Sequence, residues 1–151
     1  MNTTAWRMSA LPVLAGLMFA ANAQAQDQGT CPQLPASSGL VWEYKGSGGA
    51  DFCRALREDG SEAFGLYISA KSPFAPKRGN RAEAGMIDGQ SMYWYKGEVA
   101  IKPDMQVRET LIELPDGRTA HIWLQASDGQ LGNSIMLAQS IRFPATRLSS
   151  K

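Results

Sequence analysis

Three Asp-Gly pairs stand between stretches in which apolar and polar residues alternate, and this arrangement constrains the fold more than any other feature of the sequence. The pairs are Asp59-Gly60, Asp88-Gly89 and Asp116-Gly117. Asp and Gly accept the positive φ angles of tight hairpin turns, and alternate residues of a strand face opposite sides of a sheet. The sequence therefore predicts an antiparallel β-sheet that contains three hairpins.

The strands of these hairpins are short, and a further strand precedes them. In that earlier strand, residues 40–44, Leu40, Trp42 and Tyr44 share one face, and Gly46-Ser47-Gly48-Gly49 is expected to end it. The predicted hairpin strands are residues 52–57 with 63–69, 81–87 with 90–95, and 107–114 with 119–126.

The turn of the third hairpin also predicts its register. Pro115 suits a φ near −65° and Gly117 suits a left-handed residue, which together indicate a type I turn followed by a G1 bulge. Leu114 then lies opposite Arg118. One face holds Ile112, Leu114, Ala120, Ile122 and Leu124, and the other holds Glu109, Leu111, Glu113, His121 and Trp123.

The end of the chain favours a helix. Asp128 is a candidate N-cap for a helix over residues 129–140, with Leu131, Ile135 and Ala138 on its inner face. A last strand over 140–143 is an alternative for part of this segment. The expected fold is α+β and mainly antiparallel β. It is a single small domain, residues 40–144, of six to seven strands with one short C-terminal helix packed on the sheet. A small closed β-barrel is the alternative.

The first 25 residues have the features of a cleavable signal peptide. Arg7 supplies the positive charge, residues 10–21 are apolar, and Ala23-Gln24-Ala25 provides a cleavage site, with Ala23 as a second candidate end. The apolar run is too short for a membrane span. We therefore expect a soluble periplasmic or secreted protein of the bacterial cell envelope, with a lead-in over 26–39 and a flexible tail over 145–151.

Composition excludes several classes of protein. The whole chain has 15 Lys and Arg against 14 Asp and Glu. Cleavage after Ala25 removes Arg7 and leaves a net charge of zero, which argues against a nucleic-acid binder. Two Cys and one His are too few for a typical zinc site, and we expect no metal and no cofactor.

The two cysteines are expected to form a disulfide. Cys31 and Cys53 are 22 positions apart, and an exported chain with an even number of cysteines favours a bridge. In a loop-entropy description such a bridge contributes roughly 3 kcal/mol to stability. The spacing is not Cys-x-x-Cys, so a structural role is favoured over a redox role.

No catalytic motif is present, and we expect no enzymatic activity and no catalytic residue. The sequence contains no Gly-x-Ser-x-Gly, no phosphate-binding glycine loop and no His-Glu-x-x-His. The remaining alternative is a hydrolase in which His121 acts with Glu109 or Glu113, which the predicted register places on the same face.

Two segments have the character of a binding surface. The loop 71–81 places an aromatic residue between prolines and among cations, and the run Tyr93-Trp94-Tyr95 directs two tyrosines to one side of a strand. The candidate binding residues are Phe74, Lys77, Arg78, Arg81, Tyr93 and Tyr95.

These observations predict a non-enzymatic envelope protein that binds a protein partner as an inhibitor, immunity factor or accessory subunit. The alternative is a lipid or glycan carrier with a pocket between sheet and helix, lined by Trp42, Phe64 and Trp123. No nucleic-acid partner is expected, and the identity of the partner and the oligomeric state stay open.

The leader predicts a defined product on export. Intact-mass measurement of the protein recovered from the periplasm should give a chain that starts at Gln26 or, with the second cleavage site, at Gln24. An exported protein that still carries residues 1–25 would contradict the signal-peptide interpretation.

Overall fold

The computed structural model describes residues 31–97 and 102–144. It contains one antiparallel sheet and one α-helix, which confirms the α+β interpretation. The predicted signal peptide and tail lie outside these ranges. The elements are β1 (Val41–Ser47), β2 (Ala50–Leu56), β3 (Glu62–Ser69), β4 (Arg81–Ile87), β5 (Gln90–Lys96), β6 (Met105–Glu113), β7 (Thr119–Ser127) and α1 (Asp128–Gln139).

Two antiparallel strand groups form the seven-stranded sheet, whose order is β1-β2-β3-β7-β6-β5-β4. The first three strands follow the chain order, and the last four run back from the far edge. The pairing of β3 with β7 joins the two groups. Because β1 and β4 are edges in the described chain, the sheet is open, and the closed-barrel alternative is wrong.

One face of the sheet, the covered face, packs against α1 and carries the core. Phe64, Leu66 and Ile68 of β3 and Ile122 and Leu124 of β7 are buried there. The helix contributes its buried residues Ser134 and Ala138, and Leu131 and Ile135 pack against the core, as the helical pattern predicts. The opposite side, the open face, has no helix on it.

The third hairpin has the predicted register. Leu114 donates its backbone N–H to the Arg118 carbonyl, and Ile112 lies opposite Ala120. Gly117 has a φ of 85°, as a G1 bulge requires. The turn residues and the alternation of apolar and polar residues were sufficient to predict this register, because the two strands of the hairpin are close in sequence.

The first strand extends further than the glycine run predicts. Gly46 and Ser47 belong to β1, and the turn lies at Gly48 and Gly49, so β1 and β2 form a further hairpin. A Cβ at Gly46 would come against the Tyr44 hydroxyl, which explains why a glycine occupies this strand position.

The end of the chain differs in detail from its prediction. The helix begins at Asp128 with Ser127 as the N-cap, so Asp128 occupies the first turn instead of the cap. No strand forms over 140–143 in the described chain. A single β-bridge joins Arg142 to Gln33 instead.

A disulfide holds the lead-in against the covered face. Cys31 and Cys53 are bonded with an S–S distance of 2.04 Å, and Cys53 is fully buried in β2. The Trp42 indole N–H also donates to the Pro32 carbonyl at 2.7 Å. A disulfide of this kind is typical of an oxidising compartment. No helix in the described ranges is long and apolar enough to cross a membrane.

An ion pair in which only the arginine is buried fixes the outer hairpin, β4 and β5, which pairs with the rest of the sheet over only a short stretch. β5 and β6 share two residue pairs, at Tyr95 and Lys96. Arg108 of β6 reaches past β5 to Glu83 of β4 with two hydrogen bonds of 2.8 and 2.9 Å, and its side chain is 7% exposed. The hydrogen bond from Arg108 holds the pKa of Glu83 below its usual value.

The disulfide generates a stability prediction. Replacing Cys31 and Cys53 together by alanine should lower the free energy of unfolding by about 2–4 kcal/mol, because the unfolded chain regains loop freedom. Urea unfolding measures this difference. Wild-type protein with the bridge reduced is the control, since it keeps both side-chain volumes, and unchanged stability in both samples would contradict a structural role.

Candidate binding groove on the open face

The connection between β3 and β4 crosses the open face because of the strand order. β3 is central and β4 is an edge, so the chain must pass β7, β6 and β5 between them. Phe74 marks this path. Its ring stacks on His121 of β7 with a centroid distance of 4.8 Å and an interplanar angle of 9°, and it meets Tyr95 of β5 edge-on at 6.1 Å.

Further aromatic rings extend this cluster across the sheet. Trp123 lies 5.4 Å from His121 and 5.5 Å from Phe52 of β2, measured between ring centroids. The Trp123 ring rests directly on Gly65 of β3, its cross-strand partner. A Cβ at Gly65 would overlap the indole, so this position requires a glycine.

His121 is held neutral by its surroundings. Its Nε2 lies 3.0 Å from Glu109 Oε1, and since a carboxylate only accepts, Nε2 carries the proton. Burial under Phe74 lowers the pKa of His121 below its usual 6.5, and the hydrogen bond to Glu109 offsets this only in part. The side chain is 13% exposed.

A second polar network lies on the β1 side of the cluster. The Trp123 indole N–H donates to Glu62 Oε1 at 3.1 Å, and Arg54 donates to Glu62 Oε2 at 2.7 Å. Arg54 also donates to Glu43 Oε1 at 2.9 Å. Arg54 is thus shared between the carboxylates of Glu43 and Glu62.

Three clefts on the open face share walls and together form one groove. Their volumes are about 410, 480 and 500 Å³. Trp123 lines the first and the second, and Phe52 and Tyr67 line the second and the third. From Tyr95 on β5 to Lys45 on β1 the groove crosses five strand spacings, or roughly 24 Å.

The structure unites some of the sequence-predicted site residues and separates others. Phe74, Lys77 and Tyr95 line the first cleft. Phe74 is half-buried against His121 and does not project towards solvent. Arg81 lies over the Tyr93 ring at 4.2 Å, beside the groove on the same face. Arg78 is exposed in a short 3₁₀ turn and lines none of these clefts.

Sequence reasoning missed Phe52 and Gln125 and assigned Trp123 to a different pocket. Phe52 is on β2 and the other two are on β7, far apart in the chain, and only the pairing of β3 with β7 places them at one site. The position of Tyr67 on the open face could have been predicted, since Tyr67 alternates with the buried Leu66 and Ile68.

The pocket expected between sheet and helix does not have the predicted lining. Trp42 and Phe64 are buried on the covered face, where their rings meet at 5.7 Å. Trp123 is on the open face. Because the sheet separates Trp123 from the other two, the three rings cannot line a single cavity.

Of the two carboxylates considered as partners for His121, the structure pairs it with Glu109. Glu113 is exposed and lies opposite Thr119. In the described part of the chain no serine or cysteine side chain forms a hydrogen bond with His121. No group of three or more His, Cys, Asp and Glu in residues 31–97 and 102–144 is arranged to hold a metal ion.

Comparison with protein-family models, with curated proteins and with solved structures finds no match to this chain.

The depressed pKa of His121 predicts a pH dependence of stability. The unfolded state binds the proton more tightly than the folded state, so stability is highest above pH 6.5 and falls as the pH drops through 6.5 towards the lower folded pKa. Urea unfolding at pH 7.5 and 5.5 measures the loss, and His121→Gln should remove this component.

An NMR titration provides the direct check. The chain has one histidine, so its ring resonances belong to His121 without further assignment. A folded pKa at or above 6.5 would contradict the burial argument.

Proposed function

We propose that the protein is an exported, non-enzymatic binding protein whose partner, a protein of the cell envelope, occupies the groove on the open face. The observation that carries the proposal is the continuity of the three clefts along one row of aromatic rings. Ligand sites are concave, rich in aromatic side chains and largely preformed.

The walls of the groove are ordered before any partner arrives. Phe74 is held on the His121 ring, and Trp123 is fixed by Gly65 and by its hydrogen bond to Glu62. A site in which the rings already occupy their positions loses little side-chain entropy on binding. Pro73 and Pro76 also limit the freedom of the crossing segment.

The simplest expectation for an aromatic loop is that its ring inserts into a pocket of the partner. This geometry favours the opposite direction. Phe74 forms part of the wall of the first cleft and contacts His121 and Tyr95. A segment of the partner therefore enters the groove of this protein, and Phe74 contacts it from the side. Lys77 stands at the same cleft, whereas Arg78 does not line it.

Loss of the groove rings should abolish capture of the partner. Trp123→Ala and Phe74→Asp should each lower the amount of partner retained from an envelope extract by about tenfold or more, as expected for a central aromatic contact. Quantitative mass spectrometry of the retained proteins measures the change.

The matched control is Met136→Asp on the helix. Met136 is 64% exposed and lies on the helix that packs on the covered face, so its replacement alters an apolar surface residue away from the groove. Circular dichroism and Tm establish that each variant is folded. A partner that folded Trp123 and Phe74 variants retain as well as wild type would place the binding surface elsewhere.

A further inference from the structure

We infer that the groove binds an extended, acidic segment of polypeptide that also carries aromatic or other apolar side chains. The inference rests on the proposed function and specifies the chemistry of the partner at that same site.

Cations outnumber carboxylates along the groove. Four cationic side chains on the open face lie at the three clefts: Lys45, Arg54, Lys71 and Lys77. Lys96 also borders the first cleft, but it lies opposite Arg108, so its side chain is on the covered face. Only two carboxylates line the clefts, Glu43 and Glu109. Since the whole chain has a net charge of only +1, this excess of positive charge is local to the groove.

The two carboxylates already have partners inside the protein. Glu43 accepts from Arg54, and Glu109 accepts from His121. Lys45 and Lys71 form no ion pair within residues 31–97 and 102–144, and they line the third and the second cleft. These two clefts therefore combine aromatic surface with an ammonium group that has no counter-charge in contact with it.

This distribution favours a polypeptide over a polysaccharide. A sugar chain presents many hydroxyl groups, and each one that leaves water without a new hydrogen bond costs free energy. Several planar polar side chains of the kind that best satisfy vicinal hydroxyls are here bonded to one another, as in the network of Arg54, Glu62 and Trp123. Ring faces, the ammonium groups of Lys45 and Lys71 and the amide of Gln125 remain, and most of this surface matches apolar and acidic side chains.

The dimensions set the length of the segment. An extended chain rises by 3.2–3.4 Å per residue, so a groove of roughly 24 Å holds about seven residues. The groove runs across the strands, so a bound segment does not extend the sheet by edge pairing. Its side chains carry the recognition, with carboxylates at Lys45 and Lys71 and apolar groups between the rings.

The test uses peptides of alternating Glu and Tyr, ten residues long, with matched Gln-Tyr and Lys-Tyr peptides. Isothermal titration calorimetry on the intact exported protein measures Kd at two salt concentrations. The Glu-Tyr peptide should bind about tenfold or more tightly than the Gln-Tyr peptide, and the Lys-Tyr peptide should bind most weakly. Added salt should weaken the Glu-Tyr complex.

Variants assign the effect to the groove. The double variant K45Q, K71Q should remove the preference for Glu-Tyr over Gln-Tyr, and K102Q is the matched control, since Lys102 is exposed and lines none of the clefts. Neutralising exposed lysines leaves the core untouched, so the folded state is retained.

Different failures have different meanings. Equal affinity for Glu-Tyr and Gln-Tyr, or a K45Q, K71Q variant that keeps the preference, overturns the inference. Loss of partner capture in Trp123→Ala would still uphold the proposed function. Lysine-dependent binding of polygalacturonate without binding of the Glu-Tyr peptide overturns the polypeptide assignment. If Trp123→Ala leaves the peptide affinity unchanged, the groove is not the binding site, and the proposed function is overturned as well.

Discussion

The pairing of β3 with β7 is the contact on which the rest of the structure depends. Each of the two strand groups is built from strands that follow one another along the chain, and only this ladder joins them. It sets Tyr67 opposite His121 and Gly65 opposite Trp123, so the centre of the groove lies directly on the seam. The same strand order sends the connection after β3 across the open face, where Phe74 meets both groups of strands.

The chemistry of the open face follows from how its polar groups are satisfied. Burial under an aromatic ring keeps His121 neutral, and Glu109 orients its Nε2 proton. Arg54 is divided between two carboxylates, one of which also accepts from Trp123. Acids and hydrogen-bonding groups thus serve mainly to fix the rings in place. The surface that remains for a partner consists mainly of ring faces, the ammonium groups of Lys45 and Lys71 and the amide of Gln125.

Local patterns in the sequence were sufficient to predict the strands but not to predict which residues meet at the site. The Pro115-Asp116-Gly117 turn set the register of β6 with β7, because the residues it aligns are neighbours along the chain. The sequence alone indicates a strand break at Gly46, since nothing in it shows that the Tyr44 hydroxyl lies against this position. Phe52 and Trp123 could not be paired in advance because no local pattern predicts that β3 lies beside β7.

Both ends of the described chain leave from the side opposite the groove. Gln33 and Arg142 are joined by a β-bridge, Cys31 is bonded to Cys53, and Ile141 is buried in the core. The entry and exit of the domain are therefore adjacent and lie on the covered face. A domain, an affinity tag or a solid support joined directly to either end of the described chain is therefore attached on the side of the sheet opposite the groove.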